Sequence, residues 1–114
     1  MKKYLFIFLC LILLVGCSSE NENTEEDYKT LMKENDYIIV DVRTKEEYDE
    51  SHIKDSINIP YDVIDDNSNL DKNKYIFVYC KSGVRSEKVY NTLKSLGYKV
   101  YNLGAFDSID LPKE

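Results

Sequence analysis

A single cysteine, Cys80, stands where its thiol could act as a nucleophile. The six residues Tyr75–Cys80 are apolar or β-forming and predict a short buried strand. After them, Val89, Leu93 and Leu96 recur at helical spacing and predict an amphipathic helix. A thiol between a strand and a helix N-terminus meets free N–H groups and the positive end of the helix dipole. That environment favours the thiolate form.

The residues that follow Cys80 strengthen this interpretation. Gly83 allows a positive φ, so several N–H groups can converge on one point. Arg85 adds a permanent positive charge at a helix start, where the dipole disfavours arginine, and this favours a functional role. Lys81 could attract anionic donors or could be an ordinary surface lysine. The loop is therefore suited to hold a sulfur anion.

The segment Cys80–Arg85 (CKSGVR) resembles the active-site loop of the rhodanese, or sulfurtransferase, family. Further segments match that family in order and in rough spacing: IIVDVR at Ile38–Arg43, EEYDESHI at Glu46–Ile53, INIP at Ile57–Pro60 and LGAF at Leu103–Phe106. The resemblance covers nearly the whole chain after about Asp27.

The resemblance implies a two-step sulfur transfer with Cys80 as the nucleophile. A thiosulfate-like donor would leave a persulfide on Cys80, and a thiol or cyanide would remove it. The residues implied to bind the sulfur anion are those of the loop: Lys81, Ser82, Gly83, Val84 and Arg85. No cofactor is implied, and the expected partners are small molecules or a thiol acceptor.

Asp41, Arg43 and His52 are expected to hold the surroundings of the site in place without contacting the sulfur themselves. Asp41 and Arg43 end a predicted central strand and match the family's Asp-x-Arg, with Arg43 pairing either Asp41 or Glu47. His52 is the sole histidine. It could form a Cys–His dyad, but it matches a family His-Ile pair that orders a loop, which we favour. One histidine and one free cysteine argue against a metal site.

The remaining pattern alternates strands with helices and predicts an α/β domain, with a small parallel sheet flanked by helices on both faces. A capping box is predicted at Thr44-Lys45-Glu46-Glu47, and Gly97 is predicted to end the long helix. The other predicted elements are a helix near Tyr28–Met32, strands at Tyr37–Val42, Ser56–Ile59 and Tyr98–Leu103, a weak helix within Tyr61–Asn73, and a turn at Leu103–Phe106.

Residues 1–16 have the composition of an export signal. Two lysines precede an apolar run from Tyr4 to Val15, too short to span a bilayer. Leu14–Cys17 resembles the lipobox of bacterial lipoproteins, in which the cysteine, here Cys17, is acylated; an ordinary signal peptide is the alternative. Residues 17–26 would form an acidic disordered tether, and residues 27–114 the folded domain. We therefore expect membrane anchoring on the outer side of a bacterial membrane.

Charge and cysteine usage narrow the possible functions. The net charge of −6 argues against nucleic-acid binding and against adhesion to anionic lipid. Cys10 would leave with the signal and Cys17 would carry lipid, so Cys80 has no intramolecular partner. The alternative to a catalytic Cys80 is that it is an unreactive buried cysteine that packs as a small hydrophobic residue. We expect a monomer.

Two rival functions stay open at this point. A cysteine-dependent phosphatase or arsenate reductase also uses a Cys loop with an arginine, but such loops place five residues between the two. Here there are four, which makes a smaller cradle suited to a sulfur atom, and Tyr79 stands where phosphatases often carry histidine. The other rival is a non-catalytic binding module, whose expected mark is the loss of the cysteine that is present here.

Overall fold

A parallel sheet forms the centre of the protein. The computed structural model describes residues 25–114. Within them the strands are β1 (Tyr37–Asp41), β2 (Ile57–Asn58), β3 (Tyr75–Cys80) and β4 (Lys99–Ala105), arranged in the order β2-β1-β3-β4 with every pair parallel. The helices are α1 (Glu25–Glu34), α2 (Lys45–Glu50) and α3 (Val84–Ser95), and a 3₁₀ turn spans Phe106–Ser108.

Strand β3 is buried on both faces, which explains its continuous hydrophobicity. Ile76, Val78 and Cys80 point to one face, where they pack with Val89 and Leu93 of α3. Phe77 and Tyr79 point to the other face. There they join a second core with Tyr28 of α1 and with Ile109, five residues before the end of the sequence. The predicted α/β architecture with helices on both faces is confirmed.

The register brings the carboxyl ends of the strands together at one edge of the sheet. Asp41 of β1 lies opposite Tyr79 of β3, and Asn58 of β2 lies opposite Asp41. On the other side of β3, Cys80 lies opposite Ala105 of β4. Open parallel sheets present their ligand sites at this edge.

Helix ends follow the predicted signals. The Thr44 side chain accepts a hydrogen bond from the Glu47 N–H, and the Glu47 carboxylate accepts one from the Thr44 N–H, so the capping box is formed. At the end of α3, Gly97 has φ +95°. The N–H groups of Gly97 and Tyr98 donate to the carbonyls of Lys94 and Leu93, which completes a Schellman motif.

The weak helix predicted within Tyr61–Asn73 is wrong: this segment contains turns and no helix. Two aspartates explain the difference. The Asp65 carboxylate accepts a hydrogen bond from the Asn67 N–H, and Asp71 accepts one from Asn73. Such local bonds compete with helix formation.

The predicted turn at Leu103–Phe106 begins too early, because β4 continues through Ala105. A bulge opposite Val78 and Tyr79 absorbs one extra residue of β4. The Asn102 side chain accepts a hydrogen bond from the N–H of Gly104, which has φ +89°. The predicted strands Tyr37–Val42 and Ser56–Ile59 are present but shorter, at Tyr37–Asp41 and Ile57–Asn58.

The predicted signal segment 1–16, the lipidation site Cys17 and most of the tether lie outside the described residues. Helix α1 begins at Glu25 and so includes the last two residues assigned to the tether. Across residues 25–114, no helix combines the length and the apolarity that a bilayer crossing requires.

Candidate active site

Cys80 ends the central strand and is fully buried. Its Sγ accepts hydrogen bonds from two backbone N–H groups, that of Gly83 at 2.9 Å and that of Ser86 at 3.3 Å. Both donors belong to the junction between β3 and α3, and the N–H of Ser86 lies in the first turn of the helix. The predicted meeting of a thiol with free helix N–H groups is therefore present.

These donors change the acidity of the thiol. Burial, the largest single influence, would raise the pKa of Cys80 by disfavouring the thiolate. The Ser86 side chain and the N–H groups of Ser86, Gly83 and Ser82 act in the opposite direction. Together they outweigh burial, so the pKa of Cys80 is lowered from its ordinary value. A lower pKa increases the fraction of thiolate, which is the nucleophilic form of cysteine.

Gly83 sets the shape of the loop. It is the N-cap of α3 and has φ +99°, a conformation that residues with a Cβ rarely adopt. A Cβ at this position would lie 3.7 Å from the Cα of Gly104, an ordinary contact. The backbone conformation, and not a lack of space, is what requires glycine here.

Lys81, Ser82 and Val84 are exposed at the rim of the loop. An open hollow of about 580 Å³ adjoins this rim, lined by Ser82, Gly83, Val84, Glu87, Lys88 and Asn102. The hollow therefore adjoins the loop, while the buried Cys80 is not among the residues that line it.

Arg85 does not stand alone beside the thiol. Its guanidinium donates to both carboxylate oxygens of Glu47, at 3.0 and 3.3 Å, and the two side chains are 26% and 28% exposed. The hydrogen bond from Arg85 is the main reason that the pKa of Glu47 falls to about 2. Glu47 therefore keeps its capping role in α2 and also fastens the active-site loop to that helix.

Asp41 and Arg43 form a buried pair on the face of the sheet opposite Cys80. The Nη2 of Arg43 lies 2.7 Å from Oδ2 of Asp41 and 2.6 Å from the carbonyl oxygen of Ser51. The guanidinium also stacks 4.3 Å from the ring centroid of Phe106. Of the two predicted partners of Arg43, the structure places Asp41 in contact. These contacts join β1 to the loop before β2 and to the C-terminal segment.

His52 lies away from the thiol. Its ring stacks on Tyr48 with a centroid distance of 3.8 Å, and its Nδ1 is 2.8 Å from the Tyr48 carbonyl oxygen. Its Nε2 lies 3.5 Å from a carboxylate oxygen of Glu114. The structure thus gives His52 partners in helix α2 and in the C-terminal segment. Among residues 25–114, no group of three or more His, Cys, Asp or Glu side chains is arranged to hold a metal ion.

Sequence reasoning missed Ser86. It is fully buried, its N–H contacts Sγ, and its hydroxyl donates to the Gly83 carbonyl oxygen at 3.1 Å. A serine on the buried face of a predicted helix, six residues after the cysteine, is the signal that could have found it.

The assembled geometry can stabilise a sulfur anion. Converging N–H groups are the donors that stabilise a thiolate, and they would equally stabilise the terminal sulfur of a persulfide. Within residues 25–114 no side-chain base hydrogen-bonds to Sγ, and a thiol with a lowered pKa needs none.

Comparisons with known proteins find relatives that belong to the family whose active-site loop the Cys80–Arg85 segment resembles. Residues 24–109 match the rhodanese-like domain family. The chain is 36% identical over 81 residues to the thiosulfate sulfurtransferase GlpE of Coxiella burnetii, covering 68% of this chain and 76% of that protein. It is 39% identical over 98 residues to the probable molybdopterin-synthase adenylyltransferase of Porphyra purpurea, but spans only 25% of that protein against 77% of this chain.

A solved structure described as a rhodanese with anions from Escherichia coli superposes with a TM-score of 0.64 at 33% identity. The match covers 68% of this chain and 96% of that one.

Proposed function

The chain belongs to the rhodanese-like domain family, and we propose that it is a sulfurtransferase that carries a sulfane sulfur on Cys80. The observation that carries the proposal is the pair of N–H groups, from Gly83 and Ser86, directed at Sγ. The relative named thiosulfate sulfurtransferase supports the reaction class.

In the first half-reaction, the Cys80 thiolate attacks the outer sulfur of thiosulfate. The S–S bond of the donor breaks, sulfite leaves with the electron pair, and Cys80 becomes a persulfide with a terminal anion. The hollow beside Ser82 and Val84 brings a small anion to the loop, and the loop must open for that anion to reach the buried Sγ. N–H donors stabilise the charge as it moves to the terminal sulfur.

In the second half-reaction, a thiolate or cyanide attacks the terminal sulfur. The sulfur–sulfur bond of the persulfide breaks, and its electron pair returns to Cys80 as a thiolate. The acceptor leaves as a persulfide or as thiocyanate. Electrons balance across the two steps without an external oxidant or reductant.

Mass spectrometry after treatment with thiosulfate tests the proposal. One added sulfur atom should appear on the peptide that contains Cys80 and should be lost when cyanide is added. The Cys80→Ser variant is the matched control and should gain no sulfur. Absence of the adduct in the wild type, with the loop folded, would instead favour a non-catalytic binding module.

The same preparation tests the phosphatase alternative. The unmodified protein should hydrolyse p-nitrophenyl phosphate no faster than buffer, because four residues between Cys80 and Arg85 make a small cradle. Rapid hydrolysis combined with poor sulfur transfer would reject the sulfurtransferase proposal.

We also propose that the protein is anchored to the outer side of a bacterial membrane through lipid on Cys17. Support comes from the sequence Leu14–Cys17 and from the apolar run before it. Expressed with residues 1–16 in place, the protein should sediment with membranes and carry acyl chains on Cys17. Recovery of the wild type in the soluble fraction, or unchanged membrane binding of a cleaved Cys17→Ser variant, would overturn this.

A further inference from the structure

Ser86 is a buried polar residue that lies just beyond the Cys80–Arg85 loop. It occupies the first turn of α3 and has no exposed surface. A serine in a helix can fold back its hydroxyl onto a preceding carbonyl. In this helix that carbonyl belongs to Gly83, the residue with the positive φ.

Two sets of contacts connect Ser86 to the thiol. Directly, its N–H donates to Sγ of Cys80 at 3.3 Å. Indirectly, its hydroxyl donates at 3.1 Å to the carbonyl oxygen of Gly83, whose own N–H donates to Sγ at 2.9 Å. Glycine has more backbone freedom than any other residue, so a hydrogen bond to its carbonyl oxygen restrains the loop at that position.

We propose that the Ser86 hydroxyl is a positioning group for sulfur transfer: it holds the Gly83 backbone so that the loop N–H groups stay directed at the sulfur anion of Cys80. The inference rests on the proposed function for its role in turnover, but the geometry it concerns is that of the thiol alone.

The charged groups around the thiol are held by other contacts. Arg85, whose charge and that of Cys80 influence each other, is fixed by Glu47. Asp41 is paired with Arg43 on the opposite face of the sheet, and Lys81 is exposed. Removing the Ser86 hydroxyl leaves all of these charges in place. A change in the acidity of Cys80 would therefore report on the hydroxyl.

The test compares two serine-to-alanine variants of the full chain. Ser86→Ala removes the hydroxyl bond to Gly83. Ser95→Ala is the matched control, since the Ser95 hydroxyl makes the same type of bond, to the Thr92 carbonyl oxygen at 2.8 Å, at the far end of the same helix. The rate of iodoacetamide alkylation at the Cys80 peptide is followed against pH by mass spectrometry, beside kcat and KM for sulfur transfer.

In Ser86→Ala the midpoint of alkylation should rise by about one pH unit, because the Gly83 N–H is no longer held towards Sγ and stabilises the thiolate less. The kcat should fall about tenfold with a smaller change in KM. Ser95→Ala should match the wild type in both. An unchanged midpoint in folded Ser86→Ala overturns the proposal.

Ser86→Thr separates the hydroxyl from packing, because it restores the hydroxyl and adds a methyl group. A wild-type midpoint in this variant, beside a raised one in Ser86→Ala, supports positioning, and a raised midpoint in both contradicts it. If Ser86→Ala does not fold, Ser86→Gly replaces it as the variant without the hydroxyl. A raised midpoint in a protein that transfers no sulfur would reject the proposed function and keep the positioning role. Sulfur transfer by the wild type, with the same alkylation midpoint in Ser86→Ala as in the wild type, would keep the proposed function and reject the positioning role.

Discussion

Tyr79 and Cys80 are adjacent in β3, both are fully buried, and both carry a weakly acidic proton, yet their environments act in opposite directions. Burial raises the pKa of Tyr79 to about 12, although hydrogen bonds from Ser56 and the Ile53 N–H oppose it. The nearby Asp41 carboxylate adds to the increase. The pKa of Cys80 is lowered in spite of burial.

The difference comes from what each face of the sheet supplies. On the Cys80 face a helix N-terminus provides several N–H donors to a single atom, and Arg85 lies close by. On the Tyr79 face the hydroxyl accepts one N–H bond, from Ile53 at 3.0 Å, and faces a carboxylate. One strand therefore supports an anion on one side and a neutral, structural hydroxyl on the other.

The largest effect is expected from removing the nucleophile. Cys80→Ser should reduce sulfur transfer to the rate in buffer, because an alcohol in this cradle remains protonated at neutral pH. The free energy of unfolding should change by no more than about 1 kcal/mol, since serine is similar in size. Turnover is measured with thiosulfate and cyanide, and stability by denaturant titration. Appreciable turnover by the variant would refute the role of Cys80.

Breaking the buried Asp41–Arg43 ion pair on the Tyr79 face should have the converse result. The fold should lose stability while the acidity of Cys80 stays unchanged. Arg43→Met leaves the Asp41 carboxylate buried without its partner and should cost about 3–5 kcal/mol of unfolding free energy. Alkylation of Cys80 should keep its wild-type pH midpoint while the variant is folded. Lys45→Met, which breaks an exposed ion pair with Asp49, is the control and should leave stability unchanged.

A large shift of the Cys80 midpoint in folded Arg43→Met would show that the two faces are coupled. In that case Asp41 and Arg43 would belong to the reaction and not only to the fold.

The length of the loop tests the Cys80 face more finely. Inserting one alanine between Gly83 and Val84 should move the donors of α3 away from Sγ, and each lost donor in such a site costs about 2.7–4 kcal/mol of transition-state stabilisation. Sulfur transfer should then fall at least about a hundredfold. The same insertion between the exposed residues Lys72 and Asn73 is the control. Full activity in the longer loop would show that the donors are unimportant.

Much of this architecture could be predicted from the sequence because local signals agreed with tertiary ones. The continuous apolar run Tyr75–Cys80 is the observed strand, and Gly97 ends α3 with a positive φ. Periodicity failed in the segment 61–73, where aspartate side chains form turns that no hydrophobic pattern reports.

The loop around Cys80 could be located from sequence, but its internal contacts could not. Whether Arg43 or Arg85 pairs with Glu47 depends on how α2 lies against the loop, which is a tertiary arrangement. Ser86 was missed because a serine in a helix usually reads as a solvated residue, and only its zero exposure and its bond to Gly83 distinguish it.

The smallest expected effect concerns the Tyr79 hydroxyl and has a pH signature. A group whose pKa is higher in the folded protein than in the unfolded chain stabilises the fold fully below the unfolded pKa, here about 10. That contribution is lost as pH rises towards the folded value of about 12. At neutral pH, Tyr79→Phe should lower the free energy of unfolding by about 1–3 kcal/mol, because the Ile53 N–H loses its acceptor.

Above pH 10 the gap between Tyr79→Phe and the wild type should narrow, since only the wild type loses the contribution of a protonated Tyr79. Urea titrations at neutral pH and at steps between pH 10 and 12 measure this gap. Tyr37→Phe, at a half-exposed tyrosine of β1, should keep wild-type stability at neutral pH. A gap that stays constant with pH would mean that Tyr79 is not held protonated by its surroundings. The contrast between the two faces would then rest on Cys80 alone.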